Sequence, residues 1–151
     1  MSARLLKKDD KAIFSLAKTL PLQADESEKA VLAAMAANRK AWKRALTLLR
    51  SEQFFHPSNQ QSFELLTQTR QGIAATEFVG GADRGEGAEE RVKFHAVRVK
   101  DAYLRRKLLG IAMGIAHNAQ CGMYETRELV HQARAALEAL ENRMTKETCV
   151  A

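Results

Sequence analysis

From Glu89 to Asn118 the chain contains no proline, and its apolar side chains return in steps of four and three: Val97, Leu104, Leu108, Ile111 and Ile115, with Asp101 at the one polar position of the series. That rhythm is the seam of a long helix. A helix of about 30 residues extends ~45 Å at 1.5 Å per residue. Gly122 is a natural stop. Beyond it Leu129, Ala133, Ala136, Leu140 and Met144 repeat the spacing, which predicts a second helix folded back as a hairpin over 89–146. An apolar seam on a projecting hairpin is costly to leave in water, so self-association to a dimer or higher oligomer is the expected remedy. Gly110 and Gly114, with Ala112 and Ala116 beside them, provide a place where another helix can approach closely.

The N-terminal half reads as shorter helices. Ile13, Leu16, Ala17 and Leu20 lie on one helical face, ended by Pro21, which gives a helical extension over 1–20. Asp25 followed by Glu28 has the spacing of a capping box and predicts a helix start near Asp25, carrying Ala30, Val31, Ala34 and Met35 inward. A further amphipathic segment holds Trp42, Ala45, Leu46 and Leu49. Phe54-Phe55-His56-Pro57 is a break with two large apolar anchors, expected in the core. Ser58 and Gln61 then repeat the capping-box spacing ahead of Phe63 and Leu66, in a helix expected to run to about Arg70. Five of the eight glycines (Gly72, Gly80, Gly81, Gly85 and Gly87) crowd into one stretch, so 72–88 reads as a loop. The expected organisation is all-α: the extension over 1–20, a compact helical head over 21–88 and the hairpin over 89–146, in one folded unit.

With 46% hydrophobic and 28% charged residues the chain has the balance of a folded domain. It has no run of roughly 18 to 20 apolar residues that would span a membrane. Two cysteines, Cys121 and Cys149, make no disulfide framework, and a cytoplasmic location is the default expectation. The net charge of +6 permits attraction to nucleic acid without requiring it. Arg39, Lys40, Lys43, Arg44 and Arg50 lie across the second helical segment, and read first as a solvated face. Between Arg91 and Lys107 stand seven basic residues (Arg91, Lys93, Arg98, Lys100, Arg105, Arg106 and Lys107) against one acid, Asp101. That density marks an interaction surface. It offers no run of aromatic side chains as a stacking platform for single strands and no recognition helix for duplex DNA, so acidic protein surfaces or nonspecific backbone contact fit it better. The candidate DNA contacts are Arg39, Lys40, Lys43, Arg44, Arg91, Lys93, Arg98 and Lys100, and the rival reading they support is a small basic DNA-binding protein.

Catalysis finds no footing. The Gly80 to Gly87 stretch has no Gly-Lys-Ser/Thr ending and no strand before it, so it is no phosphate loop. His117 and Cys121 stand one helical turn apart, but two ligands fall short of a zinc site, and His56, His95 and His131 are scattered. There is no nucleophile elbow, no Cys/His pairing set for chemistry and no paired carboxylates in an apolar context. No metal site, cofactor or catalytic residue is expected.

Three segments carry a family resemblance. Pro21-Leu-Gln-Ala-Asp-Glu26-Ser-Glu28-Lys-Ala-Val31-Leu32 is similar to the opening of the N-terminal domain of DnaB-family replicative helicases, a proline followed by Glu-x-Glu and Val-Leu. Phe54-Phe55-His-Pro57-Ser-Asn-Gln60-Gln-Ser-Phe63 resembles that domain's next motif, an aromatic pair before proline and a Phe that opens a helix. His95 to Ala116, with Lys100 and Leu104-Arg105-Arg106-Lys107-Leu108-Leu109, looks like the start of its long hairpin. The stretch between Arg70 and Glu89 is shorter than the family's usual two-helix segment, and the ATPase domain of a helicase does not follow. The resemblance implies an all-α head, a hairpin that builds a dimer and often a ring, and a surface contacted by primase or helicase loaders. On this chain the expected contact with a replicative helicase, primase or loader is the hairpin, through Val97, Leu104, Arg105, Arg106, Lys107, Leu108, Ile111 and Ile115. The first reading is a stand-alone, non-catalytic adaptor with no motor activity, and the second is a fragment of a longer helicase.

Overall fold

The computed structural model describes residues 24–70 and 87–148. The expected 1–20 extension, and all of the 72–88 loop except its last two residues, lie outside them. Among the described residues the structure is helical throughout, with no strand.

Helix α1 (Asp25–Ala37) opens on three acids, Asp25, Glu26 and Glu28, at the end where the helix dipole favours negative charge. Its N-cap is Ala24, which has no side chain to offer the first turn. The capping box expected of Asp25 and Glu28 is therefore absent, and both side chains turn to another part of the head. Val31 and Met35, one turn apart, are fully buried. A single residue, Asn38, separates this helix from the next. It leaves the helix in an extended conformation while its N–H still donates to Ala34 O at 2.9 Å, and its Oδ1 accepts from the N–H groups of Lys40 and Ala41 at 2.8 and 3.1 Å. Asparagine thereby ends α1 and caps α2 (Arg39–Leu48). Ala41, Trp42 and Ala45 face inward from α2, and Leu49 follows them into the core.

After a short 3₁₀ turn (Ser51–Gln53) the chain reaches Phe54, Phe55 and His56, then enters α3 (Pro57–Arg70). Proline at the first helical position sacrifices no bond, because that N–H has no partner inside a helix. The His56 carbonyl accepts from the N–H groups of Asn59 and Gln60 at 2.9 and 3.0 Å, which starts the helix one residue ahead of Ser58. The box expected of Ser58 and Gln61 does not form. Ser58 already lies inside the helix, where its carbonyl accepts from Ser62 Oγ at 2.8 Å, and Gln61 is exposed.

The N-terminal part of α4 (Ala88–Cys121) closes the core with Ala88, Val92, Ala96 and Val99, a line along one side of the helix packed with Val31, Met35, Trp42, Leu49, Phe54 and Phe63. Trp42 joins α2 to α3 by donating its indole N–H to Leu66 O at 3.1 Å. Phe54 and Phe63 stack tilted, with centroids 5.0 Å apart.

This compact unit spans Gln23–Tyr103 and so includes the start of the long helix. The reason is the packing line just given: the first four turns of α4 supply core side chains. The second unit, described from Leu104 onward, holds the rest of α4 and α5 (Thr126–Thr148), which follows after a break of four residues. Gly122 ends α4 with φ +63°, the left-handed conformation that glycine adopts at least cost. On α5, Leu129, Ala133, Ala136 and Leu140 are half-buried, whereas Met144, the last residue of the expected stripe, is exposed.

Candidate partner-binding surface on the long helix

Two constructions in the head deserve separation: a buried polar clamp that holds it together, and the outward side of α4.

The clamp centres on Glu28, whose side chain is completely buried. One carboxyl oxygen accepts from the Phe55 N–H at 2.6 Å and the other from Asn59 Nδ2 at 2.7 Å. Asp25, one turn earlier on the same side of α1, meets His56 Nε2 at 2.9 Å. Gln60 Nε2 donates to Phe54 O at 2.8 Å, and Gln53, also buried, accepts from Arg50 N–H through its side-chain oxygen at 2.9 Å. The Glu-x-Glu segment and the aromatic-pair segment are thus one structural unit, with Glu28 joining them. The buried acid sits beside the first turn of α3, an end of a helix that favours it.

Helical periodicity then fixes what α4 shows to the outside. Val92, Ala96 and Val99 point into the core, so the positions opposite them point away from it. Phe94 and Val97 occupy those positions and are 58% and 60% exposed. Further along, Leu108 is 48% exposed, while Leu104, Ile111 and Ile115 are half-buried. The seam read from the sequence is therefore divided, with Val97 and Leu108 open and the other three partly covered. Phe94 was missed by the sequence reading, although it sits three residues before Val97 at the next seam position.

On α4 the basic residues fall into two rows. Residues seven apart nearly share a helical face, so Arg91, Arg98 and Arg105 line one flank of the outward apolar positions, and Lys93, Lys100 and Lys107 the other. Of these Lys100 is half-buried, as is Arg106, and the rest are exposed. The Arg98 guanidinium lies 5.4 Å from the centre of the Phe94 ring. On α2, Arg39, Lys40 and Lys43 are exposed and Arg44 half-buried, on the side away from Ala41, Trp42 and Ala45.

A shallow cleft of about 270 Å³ is lined by Ala30, Ala33, Ala34 and Ala37 of α1 and by Arg91, Val92 and His95 of α4, with no carboxylate, hydroxyl or thiol in its wall. His95 Nδ1 lies 3.2 Å from Ser27 Oγ. His117 Nε2 and Cys121 Sγ do meet, at 3.6 Å on the exposed end of α4, yet no group of three or more metal-binding side chains occurs among the described residues. No described helix is long and apolar enough to cross a membrane.

Residues 20–77 match the family described as the DnaB-like helicase N terminal domain. No curated protein and no solved structure matches the chain. The matched span takes in α1, α2 and α3, and with them the clamp that ties both head motifs together; the third resemblance, His95 to Ala116, lies beyond it. The likeness to that family is therefore a likeness of residues 20–77, the first three helices of the head, and of nothing beyond them.

Proposed function

We propose that this chain is a non-catalytic DNA replication protein that acts by binding a replicative helicase, its primase or its loader, and that the contact is made by the α4 seam. The observation that carries the reading is the outward apolar line of a helix whose opposite side packs on the helices that resemble the DnaB-like helicase N terminal domain. Val97 and Leu108 supply the exposed apolar contacts, Leu104, Ile111 and Ile115 the partly covered ones, and Arg105, Arg106 and Lys107 orient the encounter with an acidic surface. Self-association through the same hairpin is part of the proposal, because Leu108, Val130 and Leu137 leave apolar area in water within one unit. The protein works in the cytoplasm, where replication proteins act, and needs no cofactor. A basic DNA-binding surface is the weaker account, since the candidate residues are split between α2 and the two flanks of α4.

The test is functional. Added to the replicative helicase and primase of its own host, the purified chain should change unwinding or primer synthesis, while by itself it hydrolyses no ATP. Reversing Arg105, Arg106 and Lys107 to glutamate should weaken that effect with the helical circular dichroism retained. Unchanged rates in both reactions at high molar excess would remove the proposal and return the basic DNA-binding account to first place.

A further inference from the structure

The head-side half of α4 differs from the rest of the seam in its charge pattern. All of its relevant residues belong to the Gln23–Tyr103 unit. Along the outward line the order is Glu90, Phe94, Val97, Asp101: two exposed apolar side chains one turn apart, with an exposed acid beyond each end. Arg91 and Arg98 flank this line on one side and Lys93 and Lys100 on the other. Arg98 also covers part of the Phe94 ring from its flank.

This pattern works against pairing with a second copy of the same helix. In an antiparallel pair the flanks meet like with like, so arginine row faces arginine row and lysine row faces lysine row. A parallel pair sets the arginine row against the lysine row. Both arrangements place cation against cation, and flanking charges of this kind decide which helices can pair. Both also bring the acids at the ends of the line toward acids of the copy. The exposed Phe94 and Val97 remain an apolar contact of the kind that anchors helix-in-groove and helix-on-helix recognition.

We infer that Phe94 and Val97 form a docking site for an amphipathic helix of a different protein, one that carries two apolar side chains about a turn apart between rows of aspartate or glutamate. Glu90 and Asp101 limit the site to about 11 residues, or ~16 Å of helix at 1.5 Å per residue, and favour neutral or basic residues at the ends of the bound segment. The inference rests on the reading of the chain as a protein-binding module and shares Val97 with the proposed seam contact, but Phe94 and the flanking rows lie outside that contact, and the peptide assay does not depend on which replication protein engages the chain.

The probe is a labelled synthetic peptide of about three helical turns, with two leucines between rows of glutamate, titrated with the full chain and followed by fluorescence anisotropy. A twin peptide with lysine in place of each glutamate, and single-stranded oligothymidine, serve as competitors. The acidic peptide is expected to bind at micromolar concentrations and the lysine twin not to bind. Phe94→Ala with Val97→Ala should weaken binding about tenfold or more, and Lys93→Glu with Arg98→Glu should weaken it by a similar factor at low salt and by less at high salt. Both pairs are exposed, so Trp42 fluorescence should report an unchanged head. Equal binding of the two peptides, acidic-peptide binding that ignores the Phe94 and Val97 changes, or no binding of either would overturn the inference. Oligothymidine that binds more tightly than the peptide, with the same dependence on Phe94, would assign the site to nucleic acid instead. Neither outcome touches the helicase and primase assay, so the two readings fail separately.

Discussion

Phe54→Ala should destabilise the head by about 3 to 5 kcal/mol, the usual cost of emptying a buried phenylalanine position. The ring is 1% exposed, stacks on Phe63 and belongs to the cluster that includes Val31, Met35, Trp42 and Val99. Those neighbours come from all four helices of the head, so no single element can move to fill the gap. Phe55→Ala should also cost stability, as that ring is 6% exposed. The measurement is convenient because Trp42 is the chain's one tryptophan and lies in the head, so urea unfolding followed by its fluorescence reports this unit and not the hairpin. Variants that unfold at the parent's midpoint would mean that both rings lie at the surface.

Glu28→Ala is expected to have an effect of similar size through a different mechanism. It removes both acceptors at once and strands the buried Phe55 N–H and the Asn59 amide. At about 1 to 3 kcal/mol for each unsatisfied group, the two together come to about 2 to 6 kcal/mol, toward the lower end because the Asn59 amide is half-buried. Glu28→Gln should be milder, because the amide oxygen can still accept from the Phe55 N–H. The order alanine worse than glutamine, read in the same urea titration, distinguishes a lost acceptor from a lost charge. Equal losses in the two variants would mean that the charge, and not the hydrogen bonds, holds the segment.

The clamp also shows where sequence reading stops. Asp25 and Glu28 have a capping-box spacing, and local rules alone read them as partners of their own helix. The structure uses the same spacing to place both on one side of α1, toward a segment about 30 residues later, and a tertiary bond to a buried N–H outweighs a cap that solvent can replace. The all-α fold, the two buried Phe residues, the near bounds of α3 and α4 and the stop at Gly122 were legible because each depends on periodicity or on a residue with a narrow backbone preference. Asn38 carried a similar signal, an asparagine between two apolar helical runs, and could have been read as the cap that it is.

The surface was only partly legible for a related reason. A heptad pattern specifies which positions share a side of a helix, but not which of two apolar sides the head covers. Ala88, Val92, Ala96 and Val99 make the covered side of α4, and small residues contribute little to a hydrophobic pattern although they allow close packing. The larger Val97 and Leu108 dominated the reading and turned out to face outward. Phe94 continues their line, and with it the two basic flanks become visible as separate rows in place of one cationic surface.

Binding of a replication protein through the outward side of α4, as proposed, would produce a heavier species in solution. Light scattering of the chain mixed with the replicative helicase or the primase of its own host tests it most directly. The account predicts a complex heavier than either component, lost on Leu108→Asp while the variant keeps its helical circular dichroism. Components that scatter as independent species with both proteins, at concentrations well above micromolar, would contradict it.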